Sequence, residues 1–163
     1  MLTISRDEII KIVPMSDAIV AMRQAFSDFN NGVFILPNRI SMEINNKDAT
    51  VLVMPAYRKM GKYFTTKVVT VFQNKIAGRL NTISSSVSVF NSSNGDLVAT
   101  MDGRAITSLR TGAATGLATK LLAKENVEVA AIFGTGVQAY TQVEAIISSR
   151  PVSYTHLTLP TKA

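Results

Sequence analysis

The chain has 163 residues, 47% hydrophobic, 17% charged and 7% aromatic, with no cysteine, no tryptophan, a single histidine and a formal charge of +6. This length and apolar content suit a folded chain with a sizeable core and exclude general disorder. The lack of cysteine excludes disulfides, thiolate metal sites and a cysteine nucleophile, and one His leaves nothing for a His-based metal cluster.

No stretch reaches the roughly 18–20 apolar residues of a membrane helix, and the amino terminus shows no secretory apolar core, so a cytoplasmic location without membrane contact is expected. The 17 Lys and Arg are spread along the chain in short doublets such as Arg58-Lys59. No aromatic residues are interleaved with them as a stacking platform would require, so nucleic acid is not an expected partner.

Ser5 and Glu8 have the S-x-x-E spacing of a capping box. They predict a short helix carrying Ile9, Ile10 and Val13, stopped by Pro14. Ser16 or Asp17 is expected to cap a second helix, with Ile19, Met22, Phe26 and Phe29 as its core stripe and Gly32 as its end.

From residue 33 to 101 the apolar period changes to two, in runs at 33–44, 51–54, 63–72, 83–90 and 97–101 separated by Asn, Gly and Pro. Asn94-Gly95 reads as a hairpin turn. Tyr63, Thr65, Lys67, Val69 and Val71 share one face of the third run, so a lysine interrupts an otherwise uncharged row.

Helical spacing returns between 103 and about 124, with Asp102 as cap and Ile106, Leu109, Ala113, Leu117 and Leu121 as the packed stripe. Gly112 and Gly116 lie inside this helix at a cost of about 1 kcal/mol each relative to Ala, which predicts close approach of a neighbouring element or a ligand. The run 129–133 then reads as a buried parallel strand. It leads into Gly134-Thr135-Gly136-Val137-Gln138-Ala139 and a further helical pattern.

Strand, tight glycine turn and helix amino terminus are the setting in which backbone N–H groups and the helix dipole meet a pyrophosphate, so a dinucleotide is the expected ligand. The acidic residue expected about 20 positions further on for the adenine ribose is absent. The segment 151–163 contains no Asp or Glu, continues neither pattern and is read without an element.

These features occur within an ordered set of strings: Pro37-Asn38-Arg39, Met54-Pro55-Ala56, Lys67-Val68-Val69-Thr70-Val71-Phe72 with Asn74, Gly78 to Thr82, the long Met101-Asp102-Gly103-Arg104-Ala105-Ile106-Thr107-Ser108-Leu109-Arg110-Thr111, and the glycine turn. In this set residues 1–150 resemble the ornithine cyclodeaminase and mu-crystallin family. Asn81 stands where that family often has Pro, and Gly112 where it commonly has Ala.

The resemblance implies an α/β fold. An amino-terminal α+β substrate-binding and dimerisation domain at 1–125 would be followed by the first strand-helix unit of an incomplete Rossmann domain at 126–150, with 151–163 as a tail foreign to the family. That tail resembles translated sequencing-adaptor read-through, so His156 is expected to be neither ligand nor catalyst.

By the same resemblance, Arg39, Lys67 and Arg110 would bind the substrate, Lys67 would be catalytic, and Thr82, Arg110, Gly134, Gly136, Val137 and Gln138 would contact the cofactor, with no metal. Guanidinium forks suit a carboxylate, and neighbouring cations would push Lys67 toward its neutral form. The implied cofactor is NAD, with NADP left open. The implied chemistry is hydride abstraction from the α carbon of an amino acid, imine formation and ammonia release, as in an ornithine cyclodeaminase.

Two alternatives stand beside it: an alanine-type dehydrogenase or ketimine reductase, and a mu-crystallin-like binder of a nucleotide and a small ligand without turnover. Partners would be a small amino acid or cyclic imino acid and, at full length, a second copy in a homodimer. The chain is read as a fragment, with little NAD affinity and activity of its own. The exposed strand at 129–133 further predicts non-native association.

Overall fold

A computed structural model describes residues 1–44, 49–72 and 83–150, and the backbone of the strand at 154–158. The chain divides into two compact units, one of Met1–Ile9 with Asp28–Ile106 and one of Ile10–Ser27 with Thr107–Ala163. The divisions fall within helices α1 (Arg6–Ile12), α2 (Met15–Asn30) and α3 (Gly103–Leu122).

The first unit is built on a seven-stranded sheet. Strand β1 (Leu2–Ile4) lies parallel to β7 (Leu97–Asp102), which is followed by β6 (Ile83–Asn91), β5 (Tyr63–Phe72) and β4 (Ala49–Arg58), all antiparallel to their neighbours. Both β2 (Phe34–Ile35) and β3 (Ile40–Ile44) pair with β4.

The apolar run at 33–44 is therefore two strands, because Leu36-Pro37-Asn38-Arg39 interrupts it and Pro37 lacks a ladder donor. The three residues of β1 are too few to show a period in the sequence. Gly95 has φ +77° in the β6–β7 connection, as the Asn-Gly signal predicts.

The capping box forms. The Ser5 amide and hydroxyl donate to Glu8 Oε2 at 2.8 and 2.7 Å, and the Glu8 amide donates to Ser5 Oγ at 3.4 Å. These hydrogen bonds, the hydroxyl's first, hold the Glu8 carboxyl below the usual carboxylate range, so their support of α1 is present at neutral pH and fades as Glu8 protonates in acid.

Helix α2 starts at Met15, so Ser16 and Asp17 lie in its first turn, and the Pro14 carbonyl accepts from the Asp17 and Ala18 amides at 3.1 Å. The cap expected at Ser16 or Asp17 is thus displaced onto Pro14. Ile19 and Met22 join the core, but Phe26 and Phe29 are 52% and 62% exposed, against the core stripe read from the sequence. Helices α3 and α4 (Ala139–Ser149) cover the α2 face only as far as Met22. Beyond it the buried side turns to Asp28, whose Oδ2 accepts from Arg58 Nε at 2.8 Å.

In the second unit Met15, Ala18 and Ile19 pack with Ala113, Leu117 and Ala145, the last from helix α4 (Ala139–Ser149). Leu121, expected in this stripe, lies near the end of α3 and is exposed. Asp102 caps α3, accepting from the Ala105 amide at 2.7 Å.

Strand β8 (Val129–Phe133) precedes the glycine turn, and β9 (Tyr154–Thr158) pairs parallel to β8. The segment read without an element therefore supplies a strand, and β8-α4-β9 is a strand-helix-strand unit.

The glycines of α3 mark close approach to protein, one of the two outcomes expected. A Cβ on Gly112 would lie 2.5 Å from the Thr141 carbonyl oxygen, and one on Gly116 would meet Ile19 Cδ1 at 2.7 Å and Ser149 Oγ at 2.9 Å. At Gly112 the obstacle is backbone, so the usual gain of about 1 kcal/mol for Gly to Ala in a helix is outweighed by overpacking of about 1–3 kcal/mol. Gly112→Ala is expected to lower the urea midpoint of the chain, whereas a substitution governed by helix propensity would raise it.

Candidate active site

Lys67 lies mid-strand in β5, half-buried, with Met54 of β4 and Val87 of β6 as its direct cross-strand partners. The same transverse row continues through Met101 to Ile4. Directly paired residues share a sheet face. Lys67 is thus flanked by apolar side chains on both sides, which the alternation in β5 alone could not disclose.

Arg39 is exposed and immediately precedes β3, whose Ile40 pairs with Val53. Arg39 thus lies at the start of the strand on one side of β4, and Lys67 within the strand on the other. Thr82 lies outside the described residues.

Alternate residues of the same strands face the other side. There Ile35, Pro55, Tyr57 and Phe64 line an apolar cavity of about 410 Å³, and the Phe64 ring stacks on Phe90 with centroids 5.0 Å apart. Lys67 and Arg39 are absent from its lining.

In the second unit, Arg110 is exposed on α3, two residues before Gly112. The glycine turn joins β8 to α4 with Gly134 at φ +99°, a conformation an L side chain rarely adopts. Nothing lies within 4 Å of an added Cβ at Gly136, so that side of the turn is open. Val137 is 80% exposed at the same place.

Gln138 stands at the N-cap of α4 without a side-chain capping hydrogen bond, and its Oε1 is a buried acceptor with no partner. Uncapped helix amides beside an open glycine fit a phosphate-bearing ligand, whereas Gln138 Oε1, an acceptor, calls for a donor such as a sugar hydroxyl. The Thr141 hydroxyl, which donates to the Gln138 carbonyl at 3.0 Å, was not among the sequence candidates.

Among the described residues no cluster of three His, Cys, Asp or Glu could hold a metal ion, and no helix is long and apolar enough to cross a membrane.

Comparison with known proteins bears on family and fold. The family model described as Ornithine cyclodeaminase/mu-crystallin family matches residues 2–159, past Arg150, where the motifs read from the sequence ended. The chain is 36% identical over 153 residues to a Delta(1)-pyrroline-2-carboxylate reductase of Bacillus cereus, covering 93% of this chain and 47% of that protein. It is 36% identical over 133 residues to the ketimine reductase mu-crystallin of Mus musculus, covering 82% and 42%.

Among solved structures, Thermococcus litoralis Delta(1)-pyrroline-2-carboxylate reductase in complex with NADH and L-proline superposes with a TM-score of 0.88 at 32% identity, covering 99% of this chain and 50% of that one. An archaeal alanine dehydrogenase dimer with bound NAD gives 0.87 at 28% identity, covering 98% and 48%. The chain spans about half the length of the relatives it matches.

The two glycines of the turn are expected to respond differently to the same change. Gly134→Ala forces φ +99° on an L residue, at a cost on the order of 1–3 kcal/mol. Gly136→Ala meets open space and is expected to leave the unfolding midpoint nearly unchanged. Equal losses in the two variants would contradict the conformational reading of Gly134.

Proposed function

The chain belongs to the ornithine cyclodeaminase/mu-crystallin family, and from that premise we propose that the whole protein transfers hydride between a nicotinamide dinucleotide and the α carbon of a small amino or cyclic imino carboxylic acid. The observation that carries this reading is the pairing of two features on one short chain. One is Lys67, a half-buried cation between Met54 and Val87 on an otherwise apolar cross-strand row, with Arg39 at the start of β3. The other is a strand-turn-helix unit whose Gly134 φ, open Gly136 and uncapped α4 amino terminus suit a pyrophosphate.

Residues 1–125 would act as the substrate and dimerisation domain of a homodimer, and 126–150 would open the dinucleotide domain. NAD, or NADP, supplies hydride exchange when bound. Gly134, Gly136, Val137 and Gln138 would hold its phosphates, with Thr82 at its edge.

The chain's own residues bind and orient the substrate. Arg39 and Arg110 would hold the carboxylate through charge-assisted forks that cannot lose their proton. Lys67 would stand beside the reacting carbon as the catalytic acid–base group, with Met54 and Val87 keeping water from its stem. Orientation of this kind contributes more than any single contact to such a transfer.

Imine reduction is favoured over cyclodeamination, because the relatives at 36% identity are a pyrroline-carboxylate reductase and a ketimine reductase. The match to a probable ornithine cyclodeaminase of Bordetella pertussis, at 23%, speaks for the fold alone.

The whole protein is to be assayed with both dinucleotides against cyclic imino acids, pyruvate with ammonia, and ornithine. Loss of NADH on a cyclic imino acid is the expected result. NADH consumption with pyruvate and ammonia would point to an alanine-type dehydrogenase, and ammonia from ornithine without net NADH to a cyclodeaminase. Tight NADH binding with none of these products would replace catalysis by ligand storage, and no NADH binding would overturn the proposal.

A further inference from the structure

Thr141 makes two contacts that the functional reading leaves unused. Its hydroxyl donates to the carbonyl of Gln138, the residue that closes the glycine turn, at 3.0 Å. Its own carbonyl oxygen lies against Gly112, where an added Cβ would stand 2.5 Å away. Gly112 follows Arg110 by two residues on α3, and Gln138 follows Gly136 by two residues at the head of α4. One residue therefore touches both the backbone beside the arginine and the turn suited to phosphate.

A second point keeps the helices from sliding. Ser149 Oγ, at the far end of α4, lies 2.8 Å from the carbonyl oxygens of both Gly116 on α3 and Ala145 on its own helix. Between the two contacts Ala113 and Ala145 are fully buried, so no long side chain acts as an adjustable spacer. The unpartnered Gln138 Oε1 shows that the Thr141 end, unlike the Ser149 end, carries polar capacity that the protein does not itself satisfy.

We propose that Thr141 is a positioning residue that sets the spacing between Arg110 and the glycine turn, and through them between the substrate carboxylate and the dinucleotide. This rests on the functional reading above. Hydride transfer tolerates little misplacement, so a small shift of α3 along α4 changes substrate binding as well as rate. A purely structural contact would alter only the folded fraction.

The test uses the whole protein and three variants. Thr141→Val keeps the side-chain shape and removes the donor, Thr141→Ser keeps the donor, and Gly112→Ala pushes the helices apart. Each is followed by thermal unfolding, by NADH titration through cofactor fluorescence, and by KM for a cyclic imino acid.

Thr141→Val is expected to weaken NADH binding and raise KM by roughly threefold to tenfold each, with the loss of one hydrogen bond and the turn it steadies. Thr141→Ser should restore both, and Gly112→Ala should raise KM with a smaller change in NADH affinity. Unchanged NADH affinity and KM in Thr141→Val, or equal impairment in the serine variant, overturns the inference while leaving the functional reading intact. An unmodified protein that neither binds NADH nor turns over substrate overturns both.

Discussion

The register of the antiparallel ladder through β4, β5 and β6 is the constraint on which the placing of Lys67 depends. Side chains alternate with a period of two, so a slip of one residue would carry Lys67 to the face that holds the apolar cavity and bring Val68 in its place. The register is held by nine paired positions between β4 and β5 and nine between β5 and β6. It is further pinned by the stack of Phe64 on Phe90 on the opposite face. The energetic cost of a half-buried lysine is thus met by a ladder too long to shift.

The second unit depends on proximity of backbones. Helices α3 and α4 meet where α3 has glycine, and the apolar contribution comes from Ala113, Leu117 and Ala145 with the first half of α2. Arg150 finishes this packing. Its guanidinium donates to the carbonyls of Lys120 at 2.9 Å, Ala123 at 3.3 Å and Ser149 at 3.1 Å, placing a positive charge against the carboxyl end of α3, where the helix dipole favours it.

Much of this was legible in the sequence, for identifiable reasons. The capping box at Ser5, the hairpin at Asn94-Gly95, the Asp102 cap and the bounds of β5 are local features whose geometry is complete within a few residues. What failed was non-local. Phe26 and Phe29 keep the right spacing for a core stripe, but spacing cannot say where the facing helices stop, and Asp28 is buried because Arg58 reaches it from thirty residues away. β1 and β9 are strands because a partner edge awaits them, and neither has the length or alternation to announce itself. The candidate residues follow the same rule: Lys67 stood out as an anomaly within its own strand, whereas Met54, Val87 and Thr141 emerged only once pairing and packing were known.

Glycine shows most directly why the residue type underdetermines its reason. Gly134 is required by its own torsion angle, Gly136 is surrounded by open space, and Gly112 is required by the backbone of another helix. The sequence presents all three as the same letter near a turn or in a helix. The motif that pointed to a dinucleotide rests on the first two. The third lies outside it, twenty-two residues earlier than Gly134, yet it fixes how near α4 can come to the helix carrying Arg110. Helix packing of this kind is set as much by where side chains are missing as by which are present, since a Cβ at Gly112 would press on the Thr141 carbonyl between α3 and α4.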